Sequence, residues 1–156
     1  MSIATFLNPE AILLQLEAES SEDVIRALGG KLLEMGRVKD DFVAATLKRE
    51  AEMPTGLPLG GDVNAAIPHV DIEYVNQSAL ALATLAKPVV FYNMVENEVE
   101  VPCQLVIMLA LDAPKSQIEM LQEISSVLQQ PAVIASIMEA QTADDVLAAV
   151  SNLEPI

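Results

Sequence analysis

Apolar residues recur at helical spacing near both ends of this 156-residue chain and form short, nearly continuous runs between residues 55 and 111. A period of three to four residues is typical of amphipathic helices, whereas short runs of apolar and β-branched residues are typical of buried strands. The pattern predicts an α/β fold in which helices flank a mixed β-sheet. The length suits a single layered domain spanning residues 1–156, and no internal repeat or linker divides it.

The central runs predict most of the strands, and a further short strand is expected over residues 12–16. Ser20 has the residue type of a helix N-cap, so the first helix is expected to begin there and to end at Gly36. The four central strands are predicted over Ala65–Pro68, Ser78–Leu85, Val89–Tyr92 and Gln104–Leu111.

A second helix is expected from about Asp40 to Glu50. It should stop before Pro54, because proline disfavours helical backbone in the residue that precedes it. Arg49 is therefore expected close to a helix end.

The carboxyl-terminal part of the chain predicts three helices. Ser116, with Glu119 three residues later, has the pattern of an N-cap, and Pro131 suits the start of the next helix. Thr142 and Asp145 repeat the capping pattern before the last apolar stretch.

Acidic residues outnumber basic ones by 23 to 8, which gives a formal net charge of −15. Such a chain repels a nucleic-acid backbone and an anionic membrane surface, so neither is an expected partner. An aromatic content of 3%, without Trp, also disfavours binding by base stacking. The acidic surface instead suits a basic protein partner, although solubility alone also explains many acidic proteins.

The amino-terminal segment has no basic residue before Arg26, and no apolar run reaches the roughly 18 residues of a membrane span. These features predict a cytoplasmic protein without direct membrane insertion. Cys103 is the single cysteine, which excludes an internal disulfide and a multi-cysteine metal site. Because an apolar run follows it, we expect Cys103 to be a buried strand residue and not a nucleophile.

His69 is the single histidine and follows the apolar run Ala65-Ala66-Ile67-Pro68. Pro68 fixes its own φ angle and lacks a backbone donor, which predicts that His69 is displayed at a strand end. A neutral imidazole is nucleophilic near pH 7, so any histidine chemistry of this chain depends on this side chain. The alternative is a partly buried histidine with a hydrogen-bonded ring and no catalytic role.

The segment 55–61 contains Gly56, Gly60 and Gly61, but it lacks the Gly-Lys-Ser/Thr of a nucleotide-binding P-loop and the spacing of a dinucleotide fingerprint. Its glycines either form turns or let backbone amides approach a phosphoryl group. One histidine among scattered carboxylates gives no recognised metal-ligand spacing. Neither a metal nor another cofactor is therefore expected.

Two motifs resemble the signature of a known family. They are Arg49-Glu50-Ala51-Glu52-Met53-Pro54-Thr55-Gly56 and, downstream of it, Ile67-Pro68-His69. Together they resemble the cytosolic IIA component of the fructose/mannitol class of the bacterial sugar phosphotransferase system, known as the PTS EIIA type-2 domain. The resemblance extends over about residues 10–150.

The galactitol-specific IIA subgroup is the most similar part of that family. Mannitol-type members carry a second histidine at the position of Gln117, and this chain departs from the usual pattern at Ala65 and Val70 as well. The features closest to the galactitol subgroup are the first motif, Leu105–Ile107, Leu121 and Leu128–Pro131.

The resemblance implies a phosphoryl relay. The phosphocarrier HPr would donate a phosphoryl group to His69, which would pass it without a cofactor to a cysteine of a IIB protein, and through it serve a IIC membrane transporter. Arg49 would hold the phosphoryl oxygens. Gln117 is a separate candidate, because at the start of a helix its side-chain amide would donate a hydrogen bond to the phosphoryl group. One nitrogen of the imidazole would attack while a carbonyl or a carboxylate orients the other, and Asp71 is only a weak candidate for that carboxylate.

Two other functions remain open from the residues. One is a regulatory, nitrogen-type phosphoacceptor of the same fold, in which phosphorylation of His69 changes binding to a target. The other is a non-catalytic acidic interaction module in which His69 is structural. Arg49 would then be a surface residue at a helix end, and Gln117 an ordinary exposed glutamine.

Overall fold

A computed structural model of the protein describes residues 2–151. Its elements follow the predicted order, with helices towards both ends and most of the strands between them. The helices are α1 (Ile3–Phe6), α2 (Ser21–Glu34), α3 (Phe42–Glu52), α4 (Pro114–Leu128), α5 (Pro131–Glu139) and α6 (Ala143–Ser151). The strands are β1 (Leu7–Leu16), β2 (Gly56–Leu57), β3 (Ala65–Ala66), β4 (Ala79–Tyr92) and β5 (Glu100–Ala110).

The five strands form one mixed sheet in the order β1-β4-β5-β3-β2. β4 is parallel to β1 and antiparallel to β5, while β3 is parallel to β5 and antiparallel to β2. Helices α2 and α3 pack on one face of this sheet, and α1, α4, α5 and α6 pack on the other. The prediction of a single layered α/β domain with a mixed sheet is confirmed.

The central strands bury both of their faces, which explains their nearly continuous apolar sequences. Along β4, Leu80 and Leu82 join the cluster on the α4 side, whereas Ala81 and Ala83 join the cluster on the α2 side. Side chains of a strand alternate between its two faces, so each run of apolar residues supplies two cores. A strand with one solvated face would instead alternate between apolar and polar residues.

Two strands that were predicted separately form one continuous strand, β4, in the structure. Residues predicted as Ser78–Leu85 and Val89–Tyr92 form the single strand β4, whose pairing with β5 is irregular between Thr84 and Val89. Lys87 and Pro88 are exposed at this irregularity. A proline without a backbone donor is tolerated at such a bulge, so the Lys-Pro sequence does not end the strand.

Two of the three capping residues predicted from the sequence cap their helices. The hydroxyls of Ser20 and Thr142 each accept a hydrogen bond at 3.2 Å from the amide three residues later, as predicted. Ser116, however, lies in the first turn of α4, which begins at Pro114 after the N-cap Ala113. The prediction that Ser116 caps this helix was wrong, because proline suits the first helical position through its fixed φ and missing N–H.

Other boundaries moved by a few residues. β1 begins earlier than predicted and β5 extends over Glu100–Ala110, whereas β3 keeps only the first two residues of its predicted run. α1 and β2 were not predicted, because neither exceeds four residues. Within residues 2–151, no helix combines the length and the apolar character that crossing a membrane requires.

Candidate active site

His69 lies just beyond β3, a short strand held between β2 and β5. The carbonyl of Pro68 accepts a hydrogen bond from the Leu109 amide at 3.0 Å, so the segment stays attached to β5 after β3 ends. The predicted position past a strand end is therefore correct. The ring is not displayed to solvent, however, since His69 is 7% exposed.

One nitrogen of the imidazole is held by the backbone. Nδ1 of His69 lies 2.8 Å from the carbonyl oxygen of Ile67, and because a carbonyl only accepts, Nδ1 carries the proton. The orienting group is thus a carbonyl and not the carboxylate of Asp71. In the neutral ring this leaves Nε2 with the free lone pair.

The surroundings favour the neutral imidazole. Burial lowers the pKa of His69 below its ordinary value of 6.5, and the positive charge of Arg49 acts in the same direction. The hydrogen bond to Ile67 and the charge of Asp71 oppose this shift without reversing it. His69 is therefore mostly neutral, and nucleophilic, at pH 7.

His69 and Arg49 line the same pocket, which has a volume of about 500 Å³. This brings together two residues that lie 20 positions apart in the sequence. Its other walls come from four regions: the end of α3 with the turn after it, the segment after β3, the loop after β4, and the middle of α4. The residues involved are Glu52, Met53, Pro54, Thr55, Ile67, Met94, Val95, Asn97, Leu121 and Ser125.

Arg49 lies in the last turn of α3, where the sequence placed it. Its Nη1 lies 3.8 Å from Oδ1 of Asp71, a carboxylate whose side chain is 70% exposed. Its Nε is buried and has no hydrogen-bond partner among residues 2–151. A buried donor without a partner is costly, and no described residue accepts from this N–H.

Gln117 is not among the residues that line the pocket. It lies in the first turn of α4, and its backbone N–H donates to the carbonyl of Ala113 at 3.0 Å. The α4 residues at the pocket are Leu121 and Ser125, one and two turns further along the same helix face. The role predicted for Gln117 stays a prediction.

The glycines and the cysteine have structural explanations. Gly60 has a φ angle of +82°, as a turn glycine does, and Gly56 packs against the backbone of Tyr92. Neither of them lines the pocket of His69. Cys103 is fully buried in β5, which confirms it as a buried strand residue, and burial raises the pKa of its thiol to about 12.

Sequence reasoning missed the residues of the pocket wall that lie far along the chain. The motif around Arg49 includes Met53 and Thr55, but nothing in the sequence indicates that Val95 or Ser125 lies nearby. The structure shows that Val95 is an apolar residue with an exposed side chain, 86% exposed, in a polar loop.

Comparisons with known proteins point in one direction. The sequence profile of the family described as "Phosphoenolpyruvate-dependent sugar phosphotransferase system, EIIA 2" matches residues 5–153. The galactitol-specific EIIA component of the PTS system of Escherichia coli (strain K12) is 31% identical over 116 residues, which cover 74% of this chain and 76% of that protein.

Solved structures share the fold. The crystal structure of IIA mannitol from Escherichia coli has a TM-score of 0.75 and 26% identity, covering 92% of this chain and 97% of that one. A chain in the complex of enzyme IIAMTL and phosphorylated enzyme IIBMTL from Escherichia coli has a TM-score of 0.76. That chain is 24% identical, with 94% of this chain and 97% of that chain covered, and it is similar in fold alone.

Proposed function

The chain belongs to the phosphoenolpyruvate-dependent sugar phosphotransferase EIIA 2 family, whose members are phosphoryl carriers, and we propose that His69 is the residue that carries the phosphoryl group. The observation that supports this most is the state of the imidazole. The ring is neutral, its Nδ1 donates to the Ile67 carbonyl, and its Nε2 is left as the nucleophilic atom. No other histidine is present in the chain.

Phosphoryl transfer at this site requires little more than alignment and charge stabilisation. The Nε2 lone pair of His69 forms a bond to phosphorus while the bond between phosphorus and the nitrogen of the donor breaks. Nδ1 keeps its proton throughout, because the Ile67 carbonyl remains its acceptor. In the second transfer, a thiolate attacks the same phosphorus and Nε2 leaves.

Arg49 would stabilise the charge on the transferred group. Its guanidinium lines the same pocket as His69, has a buried Nε without a partner among residues 2–151, and makes one long contact with an exposed carboxylate. A planar guanidinium matches the geometry of phosphoryl oxygens and keeps its positive charge at every physiological pH.

The partners follow from the family. We expect phosphorylated HPr as donor and a cysteine of a IIB protein as acceptor, which would lead to a IIC transporter, with the whole relay on the cytoplasmic side. The relative that is 31% identical is specific for galactitol, which supports galactitol or a related polyol as the transported sugar. The sugar itself would bind the membrane component.

The experiment that tests this proposal is incubation with phosphorylated HPr, followed by intact-mass measurement. We expect one added phosphoryl group, lost in acid as a phosphohistidine is, and no addition in His69→Gln. A label that persists in His69→Gln, or that resists acid, contradicts the proposal. Adding a IIB protein then separates a transport role, in which IIB removes the label, from a regulatory one, in which it does not.

Gln117 is tested in the same assay. If its side-chain amide contacts the phosphoryl group, as predicted from its place at the start of a helix, Gln117→Ala slows transfer from phosphorylated HPr. Gln122→Ala, which removes an exposed amide from the same helix, is the matched control. Equal rates for the two variants would show that Gln117 is an ordinary surface residue.

A further inference from the structure

We propose that Glu50 is a positioning residue for phosphoryl transfer, which holds the His69 ring and the Arg49 guanidinium in their relative places. The inference rests on the proposed function of His69. Glu50 is adjacent to Arg49 in sequence but is not among the residues that line the pocket of His69. It therefore acts through other residues.

Both oxygens of the Glu50 carboxylate bind a single residue. Oε2 accepts a hydrogen bond from the Thr55 amide at 2.8 Å, and Oε1 accepts one from the Thr55 hydroxyl at 2.8 Å. These two contacts close the turn between α3 and β2. Thr55 is 2% exposed, so the turn is fixed inside the protein and not at its surface.

From Thr55 the contacts continue to the imidazole through the backbone. The Thr55 carbonyl accepts a hydrogen bond from the Ile67 amide at 3.3 Å, and the Ile67 carbonyl accepts the one from Nδ1 of His69 at 2.8 Å. Glu50 thus connects the end of α3, which carries Arg49, to the peptide that orients His69. A change in the Glu50–Thr55 contact alters the distance and angle between the two pocket residues.

The burial of Glu50 supports a positioning role for its carboxylate. Burial raises the pKa of this carboxyl, and only the hydrogen bonds from Thr55 and the charge of Arg49 oppose the shift. An exposed capping residue would hold a turn without this desolvation cost. The site depends on the position of the Glu50 carboxylate and not on its charge, because the His69 ring is hydrogen-bonded to Ile67 and not to Glu50.

Three substitutions separate geometry from charge. Glu50→Gln retains the length, since its amide oxygen can accept from the Thr55 N–H and its amide group can donate to the Thr55 hydroxyl. Glu50→Asp keeps the charge but is one methylene shorter, and Glu50→Ala removes both contacts. Small displacements at a reacting centre are costly, so we expect transfer from phosphorylated HPr to fall about 10- to 100-fold in Glu50→Asp and Glu50→Ala. Glu50→Gln should recover to within about threefold of wild type.

A second readout separates positioning from stability. In the folded wild-type protein, ¹⁵N NMR of His69 should show the tautomer protonated at Nδ1, and Glu50→Asp should show a mixture as the Ile67 carbonyl moves. Glu34→Ala, which removes an exposed glutamate from α2, is the matched control and should change neither readout. If Glu50→Ala does not fold, Glu50→Asp and Thr55→Val carry the test.

The outcomes are distinct. Wild-type protein that takes no phosphoryl group overturns the proposed function, whatever the variants do. Labelled wild type with equal rates and one tautomer in all folded Glu50 variants overturns the positioning role. Loss of transfer in Glu50→Gln together with retention in Glu50→Asp also overturns it, because the site would then require the charge.

Discussion

His69 is a buried titratable residue, so the stability of the fold should depend on pH. Its pKa is lowered in the folded protein, first by burial and also by Arg49. The unfolded chain therefore binds a proton more readily than the folded one. The contribution of the neutral ring to folding stability is fully present above the pKa of the unfolded chain, about 6.5. It is lost as pH falls through the lower pKa of the folded protein.

We therefore expect His69→Gln to be less sensitive to acid than wild type. Urea unfolding between pH 7.5 and pH 5 should show the stability of wild type falling relative to that of the variant. Glu50 is also titratable and buried, but both proteins contain it, so its contribution cancels in the comparison. Parallel stability curves over this range would show that His69 has the same pKa in both states.

Arg49 should matter to chemistry more than to folding, because the phosphoryl group that we propose it binds is absent from the resting protein. Losing one such preorganised contact commonly costs about 10² to 10³ in rate, or roughly 2.7 to 4 kcal/mol of transition-state stabilisation. We expect this defect in Arg49→Ala, a smaller one in Arg49→Lys, which keeps the charge but loses the planar fork, and a melting temperature near wild type in both. Arg26→Ala, in an exposed pair with Asp23 on α2, is the control for transfer from phosphorylated HPr. A normal rate of phosphoryl transfer in Arg49→Ala would show that the arginine has no role in the chemistry.

At the scale of elements, β2 packs closely against the end of β4 and the loop after it, because Gly56 in β2 has no side chain. A methyl carbon built at Gly56 would lie 2.6 Å from the carbonyl oxygen of Tyr92, which is backbone and cannot rotate away. The Gly56 carbonyl also accepts a hydrogen bond from the Met94 amide at 2.9 Å, so the two segments cannot separate freely. Glycine is required here for close approach and not for a special φ angle.

Gly56→Ala should consequently destabilise the fold by about 1–3 kcal/mol, as overpacking of a fixed site does. Gly61→Ala is the matched control, because an added methyl group at Gly61 meets nothing within 4 Å. The free energies of unfolding are compared by urea denaturation of both variants and wild type. A Gly56→Ala protein as stable as Gly61→Ala would show that the strands move apart at little cost.

The sequence predicted elements well where a pattern is local and long. The helical period of α2 and the cap at Ser20 need only neighbouring residues, and both were correct. β3 was predicted, but two residues too long, and β2 was missed because a two-residue strand exists only through its pairing with β3, which no local window contains. The bulged course of β4 was missed for the same reason, since pairing with β1 and β5 outweighs the local effect of Pro88.

The same distinction applies to the site. His69 and Arg49 were predicted because each belongs to a short motif that resembles a family signature. The contacts of Glu50 with Thr55 and the walls at Val95 and Ser125 depend on distances between side chains, which the motif does not specify. The nitrogen that donates to Ile67 was also beyond the sequence, because a carbonyl and a carboxylate orient an imidazole equally well in principle.

The molecule as a whole carries a net charge of −15, yet the pocket of His69 contains the cationic Arg49. These two features act at different ranges. Near the reacting atoms the guanidinium of Arg49 would stabilise the transferred group, while the excess of carboxylates sets the field that an approaching protein meets. An acidic surface accelerates the encounter with a basic face and leaves the chemical step unchanged.

Capture of the phosphoryl group should therefore depend on ionic strength. At physiological salt the Debye length is about 8 Å, so raising salt screens the attraction before the proteins touch. We expect the second-order rate of transfer from phosphorylated HPr, measured at limiting protein, to fall as KCl increases. Sucrose at equal osmolality is the control, because a neutral solute does not screen the attraction between the two proteins. The rate of the bound complex in single turnover should change little, because His69 itself is buried. A second-order rate that is flat across the KCl series would mean that the acidic surface serves solubility alone.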